Sequence, residues 1–305
     1  MTGRTRFVAA LLCGVALIGG ASWAEPLATQ DIEIASASDA APEPPPAAST
    51  TEDAADALDL AELVRVGPLL QVVATEGARH GLGLETSLFP GRGGESWARE
   101  VARIQSPDRL LTILVETLDA QMRGEDITRA KAFFATSLGK RITAREVEMR
   151  RAMLDAEVEA GAISAAATLR EEAAGRAKLI DTLIDTLDLV TANVSGGMNA
   201  NFAFYRGLGD GGALTERLTE RDMLAMVRDQ EAQIRETTGR WLRAYLTVAY
   251  EPLTDAEIER YIDFSSTPSG QRYMAAMGQA YGAVFERTSY DLGRAAARYM
   301  VAEDA

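Results

Sequence analysis

The chain has 305 residues, 47% of them hydrophobic, and its 45 acids against 31 Lys and Arg give a net charge of −14. That balance disfavours nucleic-acid binding through a basic footprint, and equally attraction to anionic lipid head groups. It permits a cationic partner, although a solvated acidic surface that keeps the chain soluble is the plainer explanation.

The N-terminus reads as an export signal. Arg4 and Arg6 give a basic start, Phe7 to Ile18 form an apolar run, and Ser22 and Ala24 place small residues at the −3 and −1 sites. The alternative, a membrane anchor, needs a longer apolar run. A lipoprotein reading of Cys13 fails because Leu12 stands where a small residue is required. Cleavage after Ala24 places the chain in the periplasm with no stable membrane insertion. It also removes Cys13, the one cysteine, and takes the net charge to −16 because Arg4 and Arg6 leave with the signal. The remaining chain then has no disulfide, no thiol nucleophile and no thiolate metal site, yet its length suffices for one large or two smaller ordinary cores.

Residues 25–57 are rich in Ala, Pro, Glu, Ser and Asp, and Pro42, Pro44, Pro45 and Pro46 exclude a helix there. The stretch reads as a disordered linker, either a spacer from the membrane or a tolerated tail.

From Leu58 the pattern turns helical. Leu60, Leu63, Val64, Leu69, Val72 and Val73 share a face, Pro68 breaks this run or opens a second helix, and Gly77 and Gly81-Leu82-Gly83 are expected to end it. Leu84 to Gly94 reads as a loop. Two helices follow from Trp97 to Met122, divided at Ser106-Pro107, and the second carries Leu110, Leu111, Leu114 and Leu118. Leu138 to Thr168 reads as an alanine-rich helix with Glu–Arg pairs. Lys178 to Val194 reads as a core-facing helix. Gly196-Gly197 and Gly207 to Gly212 are expected to be loops around the aromatic piece Phe202 to Tyr205. Leu214 to Tyr250 predicts two helices, the first through Leu218, Met223, Leu224, Val227 and Ile234, the second through Trp241, Leu242, Tyr245, Leu246 and Ala249. A long helix from Pro268 to Met300 closes the chain. No run of alternating β-branched residues occurs, so the expected class is all-α.

Two stretches match at an offset of 131 residues: positions 126–142 (DITRAKAFFATSLGKRI) align without a gap on 257–273, with six identities in 17 positions. Ile127, Arg129, Phe133, Thr136, Gly139 and Arg141 fall on Ile258, Arg260, Phe264, Thr267, Gly270 and Arg272. In the second stretch Thr254 and Glu257 have capping-box spacing, and Pro268 suits the first position of a helix capped by Thr267. Gly270 in that first turn points to close backbone packing. Each unit is thus a helix, a tight corner and a second helix. A period this long indicates domain duplication, not a solenoid, with a first helical repeat over 58–168 and a second over 169–305. The expected architecture is a helical bundle built from two related halves.

The second unit resembles the DUF2059 family of bacterial exported proteins. The residues that carry the resemblance are Leu253-Thr254, Glu257-Ile258, Phe264, Ser266 to Gly270 and Tyr273. The first unit departs at the corner, where Ser137 replaces the proline and Leu138 follows. The resemblance implies a mostly helical exported protein. The family has no assigned function, so no catalytic residue carries over.

Candidates for chemistry are few. His80, the one histidine, precedes Gly81 at an expected helix end, a place for interaction with the last carbonyls. Nothing near it resembles a nucleophile elbow. His and Cys supply no zinc ligand set, and no EF-hand-type calcium loop occurs. Gly207 to Gly212 lacks the GK[ST] ending of a phosphate loop. Asp181, Asp185 and Asp188 have helical spacing, which suits acid–base work or simple solvation. Gly278 and Gly282 suggest a close helix crossing. No catalytic, cofactor or metal residue is assigned. The aromatic set Trp241, Tyr245, Phe264, Tyr273, Tyr281 and Phe285 has core spacing, and its functional alternative is an aromatic-lined groove for a peptide helix or small apolar ligand. Three functions stay open: a non-catalytic interaction or ligand-binding module with an envelope protein or peptide as a candidate partner, an envelope glycan-acting enzyme using paired carboxylates, and an envelope assembly factor. Two convergent buried acids would favour the second.

Overall fold

The structure is a computed structural model that describes residues 51–214 and 231–301, with side chains from residue 55. The signal, most of the linker and the Leu218 to Val227 part of the first helix expected in Leu214–Tyr250 lie outside the described residues. Every regular element among the described residues is an α-helix.

Helix α1 (Thr51–Leu63) begins inside the stretch expected to be linker, because Ala57, Leu60 and Ala61 already bury one helical face. Arg65, in the left-handed region with φ 60°, turns the chain into α2 (Val66–Leu88), and Pro68 lies in its first turn, where a missing N–H costs nothing. Neither Gly77 nor Gly81 ends α2. Val73, Gly77, Gly81, Leu84 and Leu88 continue one buried face, and a Cβ at Gly81 would meet Val101 Cγ1 at 2.9 Å. The glycine is there for packing, and the expected loop starts only after Leu88.

Helices α3 (Gly94–Ile104) and α4 (Pro107–Gln121) divide at Ser106-Pro107 as predicted. They lead to α5 (Gly124–Phe134) and α6 (Ser137–Ala152). The alanine-rich stretch splits at Met153 to Asp155, and Asp155 caps α7 (Ala156–Glu172) by accepting from the Glu157 N–H at 2.8 Å. The Lys178–Val194 run also splits. Asp188, with φ 47°, separates α8 (Ala174–Thr186) from α9 (Leu189–Asp210).

Helix α9 runs straight through the expected Gly196-Gly197 loop and most of the Gly207–Gly212 one. It lies beside α12 (Pro268–Val301), and both helices point the same way. A Cβ on Gly207 would strike the backbone of Tyr290 and Arg294, and one on Gly293 the backbone of Phe204 and Leu208. These glycines are the crossing point of two helices. Gly278 and Gly282, the expected crossing pair, face open space. Between α9 and α12 lie α10 (Glu231–Ala249) and α11 (Asp255–Ser266), and Ile234, expected on the preceding helix, shares α10 with Trp241.

The two corners have the same local geometry. Thr136 Oγ1 accepts from the Gly139 N–H at 3.1 Å and donates to Phe133 O at 2.7 Å. Thr267 Oγ1 accepts from the Gly270 N–H at 3.0 Å and donates to Phe264 O at 2.7 Å. A Cβ at Gly139 would strike the backbone of Phe133 and Phe134, and one at Gly270 that of Phe264 and Ser265. Ser137 stands where the second corner has Pro268, and the bend forms regardless, since threonine and glycine make its contacts. Over 126–142 and 257–273 the buried, half-buried and exposed positions coincide at all 17 places. The corners also face each other: Arg141 pairs with Glu257 and Arg272 with Asp126, which is the same pairing read from either side.

One large core takes residues from both halves, from Ala57 through Phe134 to Tyr273 and Phe285. A smaller cluster at the far end of α12 holds Phe89, Trp97, Leu208 and Leu292, with the Trp97 indole N–H donating to Gly81 O at 2.8 Å. No helix among the described residues is long and apolar enough to cross a membrane.

Candidate functional site

Glu146 sits on the buried face of α6. Its neighbours on that stripe are Ile142, Thr143 and Arg150, at the three- and four-residue spacings that bring side chains together on a helix. Arg150 does not neutralise it. That guanidinium is buried, pairs with Glu76 of α2 and lies 5.3 Å over the Trp241 ring. The partners of Glu146 are tyrosines. Tyr250, just past α10, donates its hydroxyl to Glu146 Oε1 at 2.5 Å, and Tyr245 donates to the Glu146 backbone carbonyl at 2.9 Å.

Beside this carboxylate lies a cavity of about 80 Å³, lined by Glu146 and Thr143 of α6, Asn193 of α9, Tyr250, Tyr261 of α11, and Tyr273, Met277 and Tyr281 of α12, with Val64, Leu69 and Leu246 among the aliphatic residues. Among the described residues its lining contains one acid and no basic residue. Glu146 keeps some accessible surface where it lines the cavity, yet protein surrounds it densely, and that density sets its proton affinity. Burial pushes its carboxyl up to about 7, against the opposing pull of the Tyr250 hydrogen bond. Burial first, and then the Glu146 charge, hold Tyr245, Tyr250, Tyr261, Tyr273 and Tyr281 well above the ordinary phenol range. These phenols stay neutral.

Two kinds of lining residue carry unused hydrogen-bonding capacity. Asn193 donates from Nδ2 to Leu189 O at 2.7 Å, but its buried Oδ1 has no partner. The hydroxyls of Tyr261, Tyr273 and Tyr281 make no hydrogen bond to another described residue.

The six aromatic residues singled out by spacing divide among four places. Tyr273 and Tyr281 line the cavity. Trp241 and Tyr245 stack on each other with centroids 5.0 Å apart, and both are buried. Phe264 stacks on Phe133 at the paired corners. Phe285 is buried beside a second, water-sized cavity of about 20 Å³ that it shares with His80, Gln105 and Ser289. His80 is therefore not at a helix end. It lies within α2, and burial lowers its proton affinity. Asp181 forms ion pairs with Arg170 and Arg243, while Asp185 is exposed. Among the described residues no three His, Cys, Asp or Glu side chains cluster in a way that could hold a metal.

Sequence reasoning missed Glu146, Tyr250, Tyr261 and Asn193. One signal was present: an acid four residues after Ile142 on the stripe that also carries Leu138 and Thr143. Comparison of the chain with protein-family models, curated proteins and solved structures finds no match.

Proposed function

We propose that this chain is a non-catalytic, small-ligand-binding module of the bacterial envelope, whose helices close around the cavity beside Glu146. The observation that carries this reading is the cavity itself: concave, mainly apolar, with a few polar groups supplied by different helices. Paired-carboxylate chemistry needs two acids across a reacting bond, and this lining holds one. Among the described residues the large exposed hydrophobics, Leu58, Leu82, Val158 and Val301, come from four different helices. The periplasmic address rests on the signal ending at Ala24, and N-terminal sequencing of the exported protein tests it, with Glu25 as the expected first residue.

The binding role is tested by filling the cavity. Gly278 lines it, and a Cβ there meets no atom within 4 Å. Small-molecule mixtures screened by NMR are expected to shift cavity-lining residues in the wild type and to lose that effect in Gly278→Leu. Retention of every shift in the filled variant would overturn the reading.

We also propose that the body arose by internal duplication and is akin to DUF2059 through its second corner. The matching threonine–glycine geometry, the reciprocal ion pairs and the coincident burial pattern support the duplication. The kinship rests on Leu253 to Tyr273 alone.

A further inference from the structure

We propose that the cavity beside Glu146 takes a small primary amine in its ammonium form, an inference that rests on the ligand-binding reading above. Among the described residues the lining offers acceptors and π faces and no cationic side chain. Glu146 is the one formal charge in it, and its hydrogen-bond partner is a neutral phenol. A carboxylate so enclosed is costly without a counter-charge, and an ammonium supplies one. A primary ammonium carries three N–H donors. Glu146, Asn193, whose buried Oδ1 has no partner, and tyrosines with free hydroxyls are lining residues that carry acceptor oxygens. The tyrosine rings add the faces on which organic cations rest.

The volume sets the size. A cavity of about 150 Å³ admits benzene; this one, about 80 Å³, suits a short aliphatic chain of three or so carbons. An anion would meet Glu146 with no base to hold it. A neutral hydrocarbon would leave the carboxylate and Asn193 Oδ1 as they are. The groups packed round Glu146 are Tyr245 and Tyr250 from α10 and its end, Tyr261 from α11, Tyr273 and Tyr281 from α12, and Arg150 on its own helix, already paired with Glu76. Between pH 6 and 8 Glu146 is the member of this set that changes charge, so amine affinity rises with pH across that window.

The test compares n-propylamine with 1-propanol, of nearly equal size, by NMR titration of the full chain at pH 8. Saturable shifts at Glu146, Asn193 and the lining tyrosines are expected with propylammonium, at least tenfold tighter than with 1-propanol. Glu146→Gln is expected to erase the preference while leaving 1-propanol binding in place. Should that variant not fold, a pH series on the wild type decides the matter: its propylammonium affinity is expected to rise about tenfold from pH 6 to pH 8, following ionisation of a group titrating near 7. Equal binding of the two probes, a preference that survives in Glu146→Gln, or a flat pH profile overturns the amine assignment and leaves the cavity reading standing. Saturable binding of neither probe, together with no hit from the mixture screen, overturns both.

Discussion

Phe133 and Phe264 lie face to face, with ring centroids 4.0 Å apart and planes 4° from parallel. Each stands three residues before its corner threonine, and each presents its ring to its counterpart across the junction of α5 and α11. Phe134 and Tyr261 pack round the pair, and Tyr273 packs on Phe134. The contact joins the two corners where the ion pairs Arg141–Glu257 and Arg272–Asp126 flank them.

This contact is separable by a double-mutant cycle. Phe133→Leu and Phe264→Leu are each expected to destabilise the fold, and the coupling between them to amount to about 0.5–1.5 kcal/mol. Urea denaturation of the four proteins measures it. Strict additivity would mean that the rings merely fill space.

The corner threonines are expected to respond alike. Thr136→Ala and Thr267→Ala each remove an N-cap acceptor from a glycine N–H, and each should cost about 1 kcal/mol. Serine at either place should restore most of the loss. A large effect at one corner and none at the other would argue against equivalent roles.

Glu146 gives stability a pH slope of its own. Its carboxyl titrates near 7 in the folded protein, against an ordinary value of 4.5. Between those limits the folded state holds a proton that the unfolded chain has lost. The resulting stabilisation is complete below pH 4.5 and disappears as pH rises through 7. The difference in unfolding free energy between wild type and Glu146→Gln should therefore shift against the wild type by about 3 kcal/mol from pH 4.5 to pH 8. Chemical denaturation across that range checks it, and parallel curves would remove Glu146 as the cause.

Glycine roles along α9 and α12 can be ranked. Gly207→Ala and Gly293→Ala each push a methyl group into backbone of the facing helix and should cost about 1–3 kcal/mol or more. Gly282→Ala enters open space inside a helix and should raise stability by about 0.5–1 kcal/mol. Thermal melts of the three variants decide the order.

Helical class was legible because amphipathic spacing recurs from Leu60 onward and strand alternation does not. The corners were legible because threonine caps and glycine contacts are local, and local chemistry is written in adjacent residues. Gly81 and Gly207 were misread because a glycine that ends a helix and one that admits a neighbouring helix look the same in one dimension. Glu146 was hidden for a related reason. It stands among many charges in an alanine-rich stretch, and its hydroxyl partner comes from 104 residues away. The burial of Trp241, Tyr245 and Phe285 agrees with their helical spacing, but that spacing could not reveal that Tyr273 and Tyr281 border a cavity.

Three helices thread both apolar clusters. α2 contributes Leu70 to one and Leu84 to the other, α9 contributes Ala200 and then Leu208, and α12 contributes Tyr281 and then Leu292. Neither cluster can come apart while these rods stay intact, and no rod can fray inward without loosening both. Melting should accordingly appear as one sharp event, with fluorescence from Trp97 at one end and Trp241 at the other changing at a single temperature.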